Sequence, residues 1–305
     1  MRRKRDSNPR RCDPQQFSRL PHSTTLPFLH IANKYTMLNS SLKLFCMLSL
    51  NLRLVLDSLF LYTIIFISGL IAGVINTLAG GGSLLTLPIL IFSGLPPNIA
   101  NGTNRVGLLI QSIFGTAGYH SKGISSYPFS IYLGFSSLIG ALIGAQIAIE
   151  INPYLFNKIL SLVMVTMVLI MLIRKKPFKD NLPERISGKY LILSLVAFFF
   201  IGIYGGFINA GIGFIIMFFL NQVNRLPLVK TNATKVFLVL IYSSGALFLF
   251  AFNNTVNWKL GFILALGSSI GAWWASRWSV ERGEGAIRLI LALAVILMAL
   301  KLWFF

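Results

Sequence analysis

The sequence predicts an all-α, polytopic integral membrane protein of about eight transmembrane helices. They form two homologous halves, each with a Gly-rich broken or re-entrant segment. Three observations predict this. First, 55% of the 305 residues are hydrophobic and only 11% are charged, with a mean hydropathy of +0.74, whereas a soluble domain carries about a quarter charged residues. Second, no Asp, Glu, Lys or Arg occurs at 58–104 or at 190–224, and uncharged apolar runs of about 18 residues or more mark membrane spans. Third, three blocks of the first half recur in the same order in the second, the signature of an internal repeat.

Residues 1–50 are basic, contain Pro and lack apolar periodicity, so they are expected to form a disordered leader. No long apolar core or small-residue cleavage site follows the basic start, which argues against a signal peptide. Met37 and Met47 stand just before the first span, and a start at either would make the leader a mis-assigned beginning. Apolar segments follow at 58–78, 84–95, 106–119, 129–149 and 154–173, then at 190–210, 211–220, 236–252, 258–276 and 286–304. The organisation is therefore a first transmembrane repeat at 58–173, a basic linker at 174–189 and a second repeat at 190–304. Segments 84–95 and 211–220 are too short for a core about 30 Å thick. They are either re-entrant or halves of broken spans. Eight spans follow if they do not cross, ten if they do.

The linker "RKKPFKDNLPERISGK" holds six basic residues against two acidic and is expected on the cytoplasmic side. With eight spans, both termini are cytoplasmic too. The net charge of +19 would suggest nucleic acid in a soluble chain. Here the basic residues lie between apolar segments, as cytoplasmic loops require, so no nucleic-acid partner is expected. Cys12 and Cys46 are the only cysteines, too few for a disulfide framework or a Cys-based metal site.

"GLIAGVIN" at 69–76 matches "GIYGGFIN" at 202–209, and Gly80 then falls on Gly213. "NGTNRV" at 101–106 answers "NATKV" at 232–236, and "GFSSLIGALIGA" at 134–145 answers "GFILALGSSIGA" at 261–272. The stretch "AGGGSLLTLP" at 79–88 breaks an apolar helix, at roughly 1 kcal/mol per Gly and about 3 for Pro. In hydrocarbon, irregular backbone persists only inside protein or along a cavity. Such breaks are where transporters bind substrate, with helix N-termini facing anions.

The candidate binding set is therefore Asn76, Gly80, Gly81, Gly82 and Ser83, with Ser83 as N-cap of the short helix, and Asn209 and Gly213 opposite. Tight turns and close helix packing are the competing reading. Arg105 and Lys235 stand at the repeat-equivalent start of the third segment, where the helix dipole disfavours a cation. They are either anion ligands or snorkelling anchors. Asn101, Thr103, Asn104 and Thr234 would add neutral donors. Asn101 and Asn232 also match glycosylation sequons by chance-prone spacing. Gln111, Gln146, Glu150 and His120 are the remaining polar side chains near spans, Glu150 as a surface cap. The glycine series at 134, 140, 144 and 261, 267, 271 suits helix packing, and Trp273, Trp274 and Trp278 an interfacial belt. No paired carboxylates, His-rich cluster, nucleophile–base spacing or P-loop occurs in the membrane region, so no enzyme activity, metal or cofactor is expected.

The 69–106 block "GLIAGVINTLAGGGSLLTLPILIFSGLPPNIANGTNRV", with "ATKV" in the second half, resembles the TauE/SafE family of sulfite and organosulfur exporters. The likeness covers about 58–304. It implies a bacterial inner-membrane carrier of two homologous halves, moving sulfite, a sulfonate or a related organic anion. Many members carry Asp at the position of Asn76, so a proton-coupling carboxylate of that kind is a neutral amide here. The expected partners are a small anion, the lipid bilayer and a coupling ion, proton or sodium, with a homo-oligomer compatible. A non-transporting scaffold subunit is the alternative, and a membrane-embedded enzyme a more distant one.

Overall fold

In the computed structural model, residues 40–173 and 183–278 are described; the leader before residue 40, most of the linker and the segment at 286–304 lie outside them. The chain divides into two units, 1–58 and 59–305. In the first, residues 40–58 are helical. Among the described residues every regular element is a helix: α1 Ser40–Leu78, α2 Ser83–Phe92, α3 Pro97–His120, α4 Phe129–Glu150, α5 Pro153–Ile173, α6 Lys189–Phe207, α7 Ile212–Gln222, α8 Leu228–Phe252 and α9 Trp258–Trp278. A long–short–long–long order thus recurs, α1 to α4 and then α6 to α9.

The polarity is inside out relative to a soluble protein. Phe135, Ile139, Ile143 and Ile147 form an exposed stripe on α4. The repeat-equivalent Phe262, Leu266, Ile270 and Trp274 do the same on α9. Continuous apolar surface of this kind suits lipid, while Asn, Ser, Thr and two cations are buried within. Leu56–Leu78, Phe129–Glu150, Lys189–Phe207 and Leu228–Phe252 are long and apolar enough to cross a membrane. The protein is a multi-pass membrane protein.

α3 and α8 begin at Pro97 and Leu228, well before the apolar segments expected at 106 and 236. Their first turns carry buried Asn101, Thr103, Asn104, Thr231, Asn232 and Thr234, which lower hydropathy without interrupting the helix. Arg105 and Lys235 consequently lie about two turns inside their helices, not at helix starts.

α2 and α7 span only about 15 and 17 Å at the helical rise. α7 returns the chain to the end where α6 began, and α2 returns it toward the level of Tyr62 in α1. Asn224, just after α7, donates from Nδ2 to Arg185 O at 2.9 Å and to Ser194 Oγ at 2.8 Å, beside the start of α6; Lys230 pairs with Glu184. These mark the linker end of the bundle. At the other end, Asn257 N–H donates to Thr103 Oγ1 at 2.9 Å, and Lys259 lies over the Tyr62 ring. The start of α3 therefore shares an end with Tyr62 in α1, opposite the linker. The two halves enter the bundle from opposite ends. The two span counts left open by the sequence differ in where the first span starts; here Tyr62 lies at the end opposite the linker, because α1 and α6 stop inside the bundle and α2 and α7 lead back. The termini themselves lie outside the described residues.

Glycines set the packing. A Cβ on Gly69 or Gly73 would fall 2.5 Å from Leu264 O or 2.2 Å from Ser268 O, and one on Gly267 or Gly271 2.1 Å from Phe66 O or 2.2 Å from Leu70 O. The same crossing joins α6 to α4, where Gly202, Gly206, Gly140 and Gly144 meet Ser137 O, Ala141 O, Phe199 O and Ile203 O at 1.9 to 2.2 Å. Each half thus lends its first helix to the fourth helix of the other, through small residues spaced four apart.

Candidate functional site

The two broken hairpins meet tip to tip. A Cβ on Gly80 would lie 2.4 Å from Gly213 Cα, and one on Gly213 2.2 Å from Gly80 Cα. Gly80 has φ +86°, Gly211 φ +71° and Asn209 φ +61°, left-handed backbone that glycine adopts freely and Asn tolerates. Asn209 is held there by both ends of its amide: Nδ2 donates to Ser83 Oγ at 2.9 Å, and Oδ1 accepts from Tyr242 Oη at 2.6 Å.

At the other tip, Gly82 rather than Ser83 is the N-cap of α2, with helical φ −59°, ψ −34°. Its N–H donates to Asn76 Oδ1 at 3.3 Å. Ser83 is already helical, and its hydroxyl serves Asn209 of the opposite half, which explains why it does not cap. Asn76 Nδ2 donates to Gln111 Oε1 at 3.4 Å. Thr86 Oγ1 donates to Asn104 Oδ1 at 2.7 Å. These residues line a small polar pocket between α1, α2, α3 and α9, together with Ala72, Leu264 and Ser268. It leaves about 10 Å³ for the centre of a water molecule, roughly the minimum for one. Asn104 is buried, and its Nδ2 has no hydrogen-bond partner, an omission costing about 1–3 kcal/mol if nothing fills it.

The cations face elsewhere. Arg105 is fully buried; Nη2 donates to Gly206 O at 2.7 Å and to Asn101 Oδ1 at 3.5 Å, and the guanidinium lies 5.8 Å from the Phe250 ring centroid. Asn101 Nδ2 donates in turn to Phe207 O at 2.7 Å. Lys235 is equally buried, donating from Nζ to Thr77 O at 3.0 Å, Asn232 Oδ1 at 2.9 Å and Met217 Sδ at 3.5 Å. Gly206 and Thr77 lie in the last turns of α6 and α1. Each cation therefore caps the carbonyl end of the other half's broken helix, the end a helix dipole makes negative. Neither side chain reaches the surface, so snorkelling does not describe them. Arg105 Nε and Nη1 find no partner and Arg105 forms no ion pair among the described residues.

Of the residues selected from sequence, the structure gathers Asn76, Gly82 and Asn104 into the pocket and places Gly80 and Gly213 at the tip contact. Gly81 lies in the turn between α1 and α2. Ser83 and Asn209 bridge the halves. Thr103 ties α3 to the start of α9, and Thr234 Oγ1 lies 2.6 Å from Ser126 Oγ near the linker end. Asn101 and Asn232 are buried within helices, out of reach as sequons. Gln111 was noted only as a polar residue near a span and Ser268 only within a packing segment, yet both line the pocket. Gln111 falls seven residues after Asn104, a helical spacing that puts the two on one face.

A family profile described as sulfite exporter TauE/SafE matches residues 65–302. The chain belongs to the TauE/SafE family. It is similar to a probable membrane transporter protein, ORF9, of Sinorhizobium sp, with 28% identity covering 79% of this chain and 92% of the relative. A probable membrane transporter protein of Haemophilus influenzae shares 26%, over 79% and 94%. Escherichia coli K12 YfcA, also a probable membrane transporter protein, shares 27%, over 78% and 88%. No solved structure matches. As a TauE/SafE member the chain is a membrane transporter, and its duplicated, inside-out architecture suits that role.

Proposed function

We propose that the protein carries a small anion, most simply sulfite, a sulfonate or a related organic anion, by alternating access between its two repeats, without enzymatic chemistry. The observation that carries this reading is Arg105. Burying an ion costs several kcal/mol even after relaxation, and this one keeps two nitrogens, Nε and Nη1, unpaired, with no ion pair among the described residues. The interior at the hairpin tips is thereby electropositive and lined by neutral donors, suited to an anion and unsuited to a cation. Inverted repeats whose broken helices meet inside the bundle supply the geometry for alternating access.

Orientation is read from charge within residues 59–278. Lys122, Arg185, Lys189, Arg225, Lys230 and Arg277 lie at the linker end, against Lys158 and Lys259 at the other, which favours the linker end on the cytoplasmic side; the bacterial relatives support a bacterial inner membrane. A proton or sodium ion would couple transport, without a carboxylate at position 76. The test is uptake of labelled sulfite, sulfate, sulfoacetate and a short carboxylate into liposomes holding the full chain, with and without pH and sodium gradients. Saturable uptake of one class is expected. No uptake of any from folded protein would favour the scaffold reading.

A further inference from the structure

We infer that the anion is bound at the first hairpin alone and by neutral donors, in the pocket of Asn76, Thr86, Asn104 and Gln111 with Ser268 of the second repeat, with Asn104 Nδ2 donating to an anion oxygen. The inference rests on the carrier reading and names its site. Asn104 lines the pocket and is 1% exposed; its Oδ1 is taken by Thr86, while its buried Nδ2 has no partner. No charged side chain lines that pocket. Arg105, the next residue along, turns to Gly206 and Phe250 on the far side of α3. Its charge favours an anion nearby, while the contact itself is made by the Asn104 amide; the hydroxyls of Thr86 and Ser268 donate to Asn104 Oδ1 and Gly107 O. In a low-dielectric interior such neutral hydrogen bonds are strong and selective.

Among the described residues the second hairpin has no counterpart. The equivalents of Gln111 and Ser268 are Ile241 and Ala141, and α7 carries no polar side chain from Ile212 to Phe219. Both amide ends of Asn209, the equivalent of Asn76, are spent on Ser83 and Tyr242. The space is filled as well: at Gly205, the equivalent of Ala72, a Cβ would lie 2.5 Å from Ile212 Cδ1 and 3.1 Å from the Tyr242 ring. Among the described residues the pocket at the first hairpin thus has no copy at the second, and the second hairpin works as a packed mechanical partner. The pocket seats one oxygen of a compact oxyanion. Sulfite, sulfate and a carboxylate share that chemistry.

The experiment is the thermal midpoint of the purified full chain in detergent, titrated with sodium sulfite, sodium sulfate or sodium acetate against sodium chloride of equal ionic strength. At least one oxyanion is expected to raise the midpoint saturably. Asn104→Asp, which keeps the shape and replaces the donor with a negative oxygen, should weaken that binding at least tenfold, as should Gln111→Leu if the first variant fails to fold. Ile241→Val in the second repeat should bind as the parent does. Full binding in both pocket variants, a rise with sodium ion alone, or no rise with any oxyanion would each overturn the inference. Uptake by the same proteins separates the two readings: uptake unchanged in Asn104→Asp removes this site and leaves the carrier, whereas binding without any uptake removes the carrier.

Discussion

Arg105 and Asn76 hold the account together at the scale of single residues. Arg105 satisfies two needs at once, capping the carbonyl end of α6 and charging the interior. Arg105→Ala leaves the buried Gly206 O and Asn101 Oδ1 without its N–H groups, so it should destabilise the fold by about 1–3 kcal/mol, the scale of buried polar groups left unsatisfied. A drop in the detergent unfolding midpoint alongside lost uptake is the expected result, and an unchanged midpoint would show that the cap is dispensable. At Asn76, an aspartate can still accept the Gly82 N–H but cannot donate to Gln111. Its protonated form resembles the amide; its ionised form places a negative charge in the pocket. In Asn76→Asp, uptake of an anion of fixed charge should therefore fall relative to the parent as pH rises through the carboxyl's pKa. A ratio flat with pH would remove Asn76 from the pocket's electrostatics.

The elements show why glycine is spent so freely in a chain that needs helices. Gly267 and Gly140 let whole helices approach until a Cβ would meet a carbonyl oxygen at 2.1 or 2.0 Å, a contact no flexible side-chain end can relieve. Gly267→Val should abolish folded, monodisperse protein, whereas Ser244→Ala on the exposed face of α8 should leave it unaffected; size-exclusion profiles of the two would decide it. Much of this was legible in the sequence. The repeat, both breaks and the packing glycines are local patterns, visible because each half supplies an independent copy. The early turns of α3 and α8 were hidden because a buried polar turn looks like a loop to a hydropathy window. The role of Ser268 was hidden for another reason: its partners in the pocket come from α1, α2 and α3, and pairings that distant leave no mark on local spacing. The caps on α1 and α6 escaped likewise, since each cation serves a helix of the other half.

For the whole molecule, the hairpins decide the topology. Segment lengths left eight crossings, with the first span starting on the linker side, or ten, with it starting on the other; the contacts of Asn224, Thr103 and Tyr62 set Tyr62 at the end opposite the linker. With Cys12 and Cys46 changed to Ser, a membrane-impermeant thiol reagent should label Lys122→Cys and Arg225→Cys from one side of the membrane and Asn254→Cys from the other. Labelling of Arg225→Cys and Asn254→Cys from the same side would break the inverted arrangement. Alternating access through one pocket is the central claim, and counterflow tests it most directly. Liposomes holding the protein are preloaded with unlabelled sulfite, diluted, and given a trace of labelled sulfite outside. Transient accumulation of label above its equilibrium level, absent in Asn104→Asp, is the predicted result; uptake with no such overshoot in the parent protein would mean an open pore, and would contradict the account.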